Sequence, residues 1–157
     1  MRVGLGFDVH AFSDDPARRL VLGGVVFAGE RGLAGHSDAD AIAHACADAL
    51  LGAAGLGDLG GLFPDTDPAW FGADSIELLT EVVARVRAAG FVVANVDCTA
   101  IAEGPRLAPQ RSAMEARLSG AVSAPVTVKA TTAERLGPIG RSEGIACLAV
   151  ALVEERA

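Results

Sequence analysis

All three histidines of the chain lie in its first 44 residues, inside two short acidic segments. His10 follows Asp8 in the segment Asp8-Val9-His10, while His36 and His44 begin and end a segment that contains two aspartates. Imidazole nitrogens bind zinc and similar ions, and an aspartate adds a harder oxygen ligand. The residue types and their spacing therefore predict a metal site.

A predicted strand positions the first two of these side chains. Residues 3–9 alternate between apolar residues on one side and Gly or Asp on the other, which is typical of a strand with one buried face. Asp8 and His10 are two positions apart, so they project from the same side of the strand. Both can therefore reach one ion.

A predicted helix positions His44. Ser37, with Asp40 three residues later, resembles a capping box in which Asp takes the usual place of Glu. We expect the helix to cover about residues 38–54 and to end at Gly55.

Asp8, His10 and His44 would form a set of three ligands, which leaves one position open for water or a substrate, as a catalytic site requires. The alternative is that His10 is an ordinary histidine at a strand end and that His44 is a hydrogen-bonded helix residue. Because the two histidines occur together with Asp8, the metal interpretation is favoured.

His36 has a different predicted role. It immediately precedes the predicted helix, where free backbone N–H groups and the positive end of the helix dipole favour anions, and Ser37 adds a hydroxyl there. His36 could therefore steady a phosphate in a transition state. The alternative is a loop histidine without a chemical role.

Two later segments and one arginine allow both a functional and an ordinary interpretation. The Asp- and Gly-rich loop 58–67 is either a set of turn formers or a wall that grips a polyhydroxylated substrate. Thr131, Thr132 and Glu134 follow a β-rich run, where they could contact phosphates and a harder ion such as magnesium, or form a solvated strand end. Arg141 is a fork-shaped donor suited to phosphate.

The rest of the chain alternates between strand and helix patterns. The pattern predicts a hairpin at 20–27 with a Gly-Gly turn, helices at about 75–89 and 110–119, and strands at 91–102, 125–131 and 144–153. These elements indicate a mixed α/β (α+β) fold, and we expect residues 1–157 to form a single domain.

Composition limits the partners and the location. A net charge of −7 argues against nucleic acid as a main partner, although a small phosphorylated substrate stays open. Cys46, Cys98 and Cys147 lie in apolar surroundings, which favours buried thiols in a reducing cytosol. The sequence shows no signal peptide and no apolar run long enough to cross a membrane, so we expect a cytoplasmic protein without a membrane partner.

Several short motifs follow one another in a specific order along nearly the whole chain. They are Gly6–His10, His36–Asp38, His44, Asp48–Gly52, Leu62–Pro68, Gly72–Ser75, Asn95–Asp97, Lys129–Thr132 and Glu143–Cys147. In this order and spacing they resemble the 2-C-methyl-D-erythritol 2,4-cyclodiphosphate synthases of the non-mevalonate isoprenoid pathway.

The resemblance implies a lyase that converts 4-diphosphocytidyl-2-C-methyl-D-erythritol 2-phosphate to the cyclic diphosphate and releases CMP. The 2-phosphate of the substrate attacks the β-phosphorus of its own diphosphate. Such an attack needs proximity and charge neutralisation more than a protein nucleophile.

The resemblance also assigns roles to residues by position. It implies that Asp8, His10 and His44 bind Zn²⁺ or Mn²⁺, that Glu134 binds Mg²⁺ or Mn²⁺ between substrate phosphates, and that His36 and Thr132 stabilise the transition state. It places the methylerythritol phosphate against Ser37, Asp58, Leu59, Gly60, Phe63, Pro64, Asp65, Thr66 and Asp67. It places the cytidine side against Ala102, Glu103, Gly104, Pro105, Arg106, Leu107, Ala108, Thr131 and Thr132. Further substrate contacts are implied for Val9, Ala133 and Arg141.

The implied assembly is a homotrimer with active sites between subunits. Each subunit would be one domain, with a mixed β-sheet that is packed on one face by helices and that faces the trimer axis. Ala133, Arg135 and Pro138 depart from the usual Thr, Lys and Phe, and Pro138 makes the loop before Arg141 harder to predict. Because no cytidylyltransferase domain precedes the motifs, we expect a monofunctional form.

Two other functions are compatible with the same ligands. One is a metal-dependent phosphoesterase in which the three ligands serve to activate water. The other is a non-catalytic trimer that binds an isoprenoid phosphate along its axis.

Overall fold

A four-stranded mixed sheet carries two of the candidate ligands, Asp8 and His10, and one of the helices that cover a face of this sheet carries the third, His44. The computed structural model describes residues 1–156. The strands are β1 (Arg2–Ala11), β2 (Leu20–Leu22), β3 (Val25–Phe27), β4 (Phe91–Ile101), β5 (Val126–Thr131) and β6 (Gly144–Glu155). The helices are α1 (Ala41–Ala54), α2 (Leu59–Leu62), α3 (Ser75–Ala88), α4 (Arg111–Val122) and α5 (Gly137–Gly140), with 3-10 turns at Pro68–Trp70 and Ala108–Gln110.

The strand order in the large sheet is β1-β6-β4-β5. The β1/β6 and β6/β4 pairs are antiparallel and the β4/β5 pair is parallel, which confirms the predicted mixed sheet. β2 and β3 form a separate hairpin, in which Gly23 and Gly24 have φ of 57° and 72° and supply the predicted turn. The predicted domain 1–157 extends one residue beyond the described range.

The buried face of β1 is its glycine face. Gly4 and Gly6 pack so closely on α1 that a Cβ atom at Gly6 would lie 1.9 Å from the carbonyl oxygen of Ala45. The apolar side chains of the same strand point away from the helices, and Val3 and Leu5 are each 67% exposed. The alternation therefore identified the strand, but its apolar side is the open side of the sheet.

Helix α1 begins later than predicted. Its N-cap is Asp40, whose carboxylate accepts hydrogen bonds from the N–H groups of Ile42 and Ala43. The predicted capping box at Ser37 is wrong, because Ala39 has a φ of 58° and the Ser37 hydroxyl accepts from the Ala39 N–H in a turn before the helix. The predicted end at Gly55 is confirmed, since Gly55 adopts the left-handed conformation.

Asp40 also attaches the β2–β3 hairpin to the start of α1. Its two carboxylate oxygens accept hydrogen bonds from the Gly23 and Gly24 N–H groups, at 2.8 and 2.6 Å. The side chain is fully buried, and this burial raises its pKa to about 6 against the opposing effect of its N–H donors. The hairpin and the helix that carries His44 are thus held by one residue.

The remaining elements match the predictions closely. Asp74 caps α3 through a hydrogen bond from the Ile76 N–H, as expected for a helix that starts at Ser75. α4 continues to Val122, three residues beyond the predicted end, because Val122 is buried against the core. The three cysteines are free and buried, as predicted. Within residues 1–156, no helix is both long and apolar enough to cross a membrane.

Candidate metal centre and adjoining pockets

The structure brings the three predicted metal ligands together at the junction of β1 and α1. The Oδ2 atom of Asp8 lies 2.9 Å from His10 Nε2 and 3.2 Å from His44 Nδ1. The two imidazole nitrogens lie 3.3 Å apart, and all three ligand atoms are within 4.8 Å of one another. One oxygen and two imidazole nitrogens that converge in this way form a donor set suited to zinc or a similar divalent ion.

The hydrogen bond on the far side of the His10 ring supports this interpretation. His10 Nδ1 lies 2.7 Å from the carbonyl oxygen of Ala34. A carbonyl oxygen accepts but never donates, so Nδ1 carries the proton and Nε2 presents its lone pair to the cluster in the neutral ring. A metal-binding histidine is usually oriented in this way by its second nitrogen.

Asp8 and His10 also perturb each other's protonation. Burial alone would raise the pKa of Asp8, but hydrogen-bonding contacts with the His10 and His44 rings and electrostatic attraction to them outweigh it and hold the pKa well below its ordinary value. Burial alone would lower the pKa of His10, but the hydrogen bond and the charge of Asp8 raise it above the ordinary value of 6.5. A bound cation would therefore have to displace a proton that Asp8 stabilises.

A pocket of about 260 Å³ opens directly beside the cluster. Its walls combine polar groups near the ligands with apolar side chains further away. The lining residues are His10, Gly35, His36, Ser37, His44, Leu59, Gly60, Phe63, Asp65, Trp70 and Leu78. Such a lining suits a small molecule that has a phosphate at one end and a carbon skeleton at the other.

His36 lies in this pocket but outside the ligand cluster. Its Nε2 donates a hydrogen bond to the carbonyl oxygen of Asp67 at 3.1 Å, and its ring meets the edge of Phe71. Ser37 lies nearer to the cluster, with its hydroxyl 3.3 Å from His44 Nε2. The structure thus separates His36 from the ligands, as the sequence predicted.

The loop 58–67 contains turn formers and also residues that line the pocket. Asp58 caps α2 through the Gly61 N–H, and Asp67 caps the following 3-10 turn through the Ala69 N–H, so both are turn formers. Leu59, Gly60, Phe63 and Asp65 line the pocket, whereas Pro64 and Thr66 do not.

A second pocket, of about 410 Å³, lies at the ends of β4 and β5. It shares no lining residue with the first pocket in the part of the chain that the structure describes. Its walls are formed by Ala102, Glu103, Pro105, Arg106, Leu107, Ala108, Arg111, Ala130, Thr131 and Thr132. Gly104 lies in the same loop and precedes Pro105 through a cis peptide bond.

Glu134 belongs to this second region and is separate from the Asp–His–His cluster. Its carboxylate accepts a hydrogen bond from the Thr132 hydroxyl at 2.6 Å. Glu103 fixes the same turn, because its carboxylate accepts from the N–H groups of Ala133 and Arg135. Thr132 and Glu134 therefore form one polar edge on an exposed turn.

Val9 and Arg141 lie outside both pockets. Val9 is 50% exposed on the open face of the sheet, and Arg141 forms an exposed ion pair with Glu143 at 2.6 Å. The structure of the single chain therefore places neither residue in the walls of the two pockets.

Several residues at the two pockets and the ligand cluster were not predicted as site residues. Gly35, Trp70 and Leu78 line the first pocket, and Arg111 and Ala130 line the second. Ser75 contacts the far side of His44, and Asp38 contacts Ser75. The sequence motifs include both Asp38 and Ser75, but the sequence pattern predicts only that these residues lie at the starts of two helices. Their separation of 37 positions hides the contact between them.

The fold and the site together define a metal-binding α/β protein with a small-molecule pocket beside its ligands. The chain belongs to the YgbB family, whose model matches residues 1–154. This confirms the resemblance that the sequence motifs indicated.

The relatives divide into two lengths. The chain is 57% identical to 2-C-methyl-D-erythritol 2,4-cyclodiphosphate synthase of Aromatoleum aromaticum, over 97% of this chain and 93% of that protein. It is 56% identical to the bifunctional enzyme IspD/IspF of Anaeromyxobacter sp. (strain Fw109-5), over 96% of this chain, but spans 39% of the length of that relative.

Solved structures show the same two lengths. The bifunctional IspDF from Campylobacter jejuni matches with a TM-score of 0.93 and 43% identity, over 98% of this chain and 42% of that chain. A 2C-methyl-D-erythritol-2,4-cyclodiphosphate synthase in a CDP-bound form matches with a TM-score of 0.87 and 36% identity, over 98% of this chain and 100% of that chain.

Proposed function

We propose that the chain is a 2-C-methyl-D-erythritol 2,4-cyclodiphosphate synthase. It would convert 4-diphosphocytidyl-2-C-methyl-D-erythritol 2-phosphate to the cyclic diphosphate and CMP. The observation that carries this proposal is the convergence of Asp8, His10 and His44 beside a pocket that holds His36 and Ser37. The names of the full-length relatives support the same activity.

The reaction needs two phosphorus groups of one substrate to be held together. An oxygen of the 2-phosphate forms a bond to the β-phosphorus, and the bond from that phosphorus to the bridging oxygen of CMP breaks, with its electron pair leaving on CMP. Both groups are anionic, so the protein must fold the substrate and offset its charge. A divalent ion held by Asp8, His10 and His44 would supply positive charge to the diphosphate.

The chain's own residues orient the sugar part of the substrate. Leu59 and Phe63 offer an apolar wall for the methyl-substituted carbon chain, and Asp65 offers an acceptor for its hydroxyl groups. Ser37 and His36 line the same pocket, where the Ser37 hydroxyl can donate to phosphate oxygens, and the His36 Nε2–H can do so when it exchanges the Asp67 carbonyl for a phosphate. We assign the 2-phosphate to this side.

We assign the cytidine part to the second pocket, which is lined by residues of the loop 102–108 together with Thr131 and Thr132. In this proposal the Thr132 hydroxyl stabilises the transition state, and the Glu134 carboxylate holds a second cation, Mg²⁺ or Mn²⁺, between the phosphates. The 2.6 Å hydrogen bond between these two side chains supports a shared position at the phosphates. Bound CDP in a structural relative supports the nucleotide class.

We further propose that the active protein is a homotrimer whose sheets face the trimer axis. The open face of the sheet presents apolar side chains of β1 and β6, among them Leu5 at 67%, Phe7 at 54% and Val150 at 46% exposure. A contiguous apolar surface of this kind favours burial between subunits. Because the two pockets share no lining residue, a neighbouring copy is the natural source of the second half of each site.

The test of the shared site mixes two inactive variants. His44→Ala disables the metal half and Thr132→Ala the nucleotide half, so each homotrimer should lack activity. In randomly mixed trimers, about one quarter of the sites should combine two intact halves and release CMP. If mixing is shown by mass spectrometry and no activity returns, the site does not lie between subunits.

The activity itself is tested by CMP release from the diphosphocytidyl substrate with metal-stripped and Zn²⁺-reloaded protein in the presence of Mg²⁺. We expect release with the reloaded protein and its loss after stripping. A linear phosphate product would make the protein a phosphoesterase, and binding without turnover would make it a non-catalytic binding protein. A cytoplasmic location stays a prediction from the sequence.

A further inference from the structure

The second nitrogen of His44 contacts the Ser75 side chain, which is itself held by Asp38, and neither residue is a metal ligand. His44 Nε2 lies 2.8 Å from the hydroxyl oxygen of Ser75, and this hydroxyl is also hydrogen-bonded to Oδ1 of Asp38. Ser75 is 1% exposed and His44 is 9% exposed, so solvent has little access to the contact. The hydroxyl of Ser37 also faces Nε2, but at the longer distance of 3.3 Å.

The direction of each hydrogen bond follows from the number of available protons. Asp38 faces three donors, which are the Ser75 hydroxyl, the Ser75 N–H at 3.1 Å and the Asp40 N–H at 3.2 Å. Because a carboxylate only accepts, the single hydroxyl proton of Ser75 goes to Asp38. The Ser75 oxygen must then accept a proton from His44 Nε2.

This direction fixes the tautomer of His44. With the proton on Nε2, the lone pair is on Nδ1, and Nδ1 is the atom that lies 3.2 Å from Asp8 and 3.3 Å from His10 Nε2. The backbone carbonyl of Ala34 does the equivalent task for His10. The Ala34 carbonyl thus orients the His10 ring and the Ser75 hydroxyl orients the His44 ring, so that both lone pairs are directed at the same point.

The Ser75 hydroxyl is not needed to cap α3. The N-cap of that helix is Asp74, whose carboxylate accepts from the Ile76 N–H at 2.8 Å. The Ser75 side chain instead points to His44 and Asp38. Ser75 is the first residue of α3, and its backbone N–H donates to Asp38. Asp38 therefore lies at the positive end of the helix dipole, which favours a carboxylate.

We propose that Ser75 and Asp38 are positioning residues that hold His44 with Nε2 protonated and Nδ1 directed at a divalent cation. This inference rests on the proposed metal site, which it deepens. Partners on the far side of a ligating histidine typically contribute about 10–100-fold to metal affinity. We therefore expect Ser75→Ala to weaken Zn²⁺ binding by about tenfold or more.

Zn²⁺ affinity, measured by competition with a chromophoric chelator, tests the inference without turnover. Ser75→Ala and Asp38→Asn should both bind more weakly, because the first removes the acceptor and the second can reverse the hydrogen bonds. Ser75→Thr keeps the hydroxyl and should recover most of the affinity. Asp74→Ala is the matched control: it removes a cap from the same helix without a contact to His44, and its affinity should stay within about twofold of the parent.

Long-range ¹H–¹⁵N spectra of the histidine rings supply a second readout. The parent protein should show His44 protonated at Nε2, and Ser75→Ala should show a mixture of tautomers in the metal-free state.

Three results would overturn the inference. The first is a folded Ser75→Ala variant with parental Zn²⁺ affinity and an unchanged tautomer. The second is an equal loss of affinity in Asp74→Ala, since displacement of α3 would then explain the effect. In both cases the proposed metal site stands. A parent protein that binds no Zn²⁺ overturns the metal site and this inference together.

Discussion

The close contact between β1 and α1 makes Gly6 the most informative single position outside the ligands. A Cβ atom there would meet the Ala45 carbonyl oxygen at 1.9 Å and the Ala49 N–H nitrogen at 2.6 Å, both in the backbone of α1. Backbone atoms cannot rotate away as a flexible side chain can. The change Gly6→Ala therefore has to move the helix away from the strand.

The size of that movement follows from the distances. Ordinary contacts of a Cβ atom begin at about 3.4 Å, so the two backbones must separate by about 1.5 Å. Overpacking of this kind costs about 1–3 kcal/mol in well-packed cores, and we expect Gly6→Ala to lie at or above the upper end of that range. The strain is concentrated beside the metal ligands, because Ala45 follows His44 and Gly6 lies two residues before Asp8.

The metal cluster should report the same displacement. Metal sites tolerate ligand displacements of only about 0.2 Å, so a separation of His44 from Asp8 that approaches 1.5 Å should weaken Zn²⁺ binding by at least about tenfold. Urea unfolding and Zn²⁺ competition measure the two effects. Both must be carried out at one protomer concentration, because subunit assembly contributes to apparent stability.

Gly52→Ala is the matched control on the same helix. Its Cβ atom would lie 3.9 Å from the Leu5 carbonyl oxygen, which is an ordinary contact. Alanine replaces glycine inside a helix with a gain of roughly 0.5–1 kcal/mol, so this variant should be slightly more stable than the parent and bind Zn²⁺ equally well. A Gly6→Ala variant with parental stability and Zn²⁺ affinity would refute the close packing on which the site depends.

The other predictions concern the histidines. His44→Ala should abolish Zn²⁺ binding, measured by elemental analysis, and CMP release, and should leave the fold intact; retained metal would contradict its role as a ligand. His36→Ala should keep the metal and lower kcat, since His36 lies outside the cluster, and loss of the ion would make it a ligand instead. Zn²⁺ affinity should rise with pH by up to about tenfold per unit and level off above the raised pKa of His10, because the ion displaces the His10 proton. In the metal-free protein, the stability that the Asp8–His10 pair contributes should be present above pH 3.8 and below 6.5, should fall as pH rises through the His10 pKa, and should also fall as strong acid protonates Asp8.

A Zn²⁺ affinity that does not change with pH below the ordinary His10 pKa of 6.5 would contradict the first pH prediction, because it would show that no proton competes with the ion. Urea midpoints that stay unchanged as pH rises from 6.5 into mild alkali would contradict the second, because they would show that the Asp8–His10 pair does not contribute to the stability of the folded state.

Local features of the fold were predictable from the sequence. The i, i+2 spacing of Asp8 and His10 on a strand is a local geometric property, and so is the left-handed end of α1 at Gly55. The start of α1 was not predictable, because Asp40 caps the helix while it also binds the hairpin at Gly23 and Gly24, a contact between distant parts of the chain.

The alternation of apolar residues with Gly or Asp in β1 does not reveal which face of the strand is buried. In an isolated subunit an apolar strand face normally packs inward, but here the bare backbone at Gly4 and Gly6 admits α1 and leaves the apolar face open. The contact of Ser75 with His44 was hidden for a related reason. It depends on how α3 packs against α1, which no spacing along the chain encodes.

The roles of individual substrate contacts stay predictions. The Asp8, His10 and His44 cluster came from residue chemistry, and the structure brings it together. The assignment of the second pocket to cytidine, of Glu134 to a second cation and of Val9 and Arg141 to substrate contacts came from the family resemblance, and the proposed mixing and turnover experiments test the division of the site between subunits and the activity.

The most direct test of the proposed activity is the identity of the phosphorus product. Zn²⁺-loaded protein is incubated with 4-diphosphocytidyl-2-C-methyl-D-erythritol 2-phosphate and Mg²⁺, and the reaction is followed by ³¹P NMR. We expect equal amounts of CMP, which gives one phosphomonoester signal, and a cyclic diphosphate with two coupled phosphorus signals. A linear product that adds further uncoupled phosphomonoester signals beside that of CMP, or an unchanged substrate, would contradict the proposed activity.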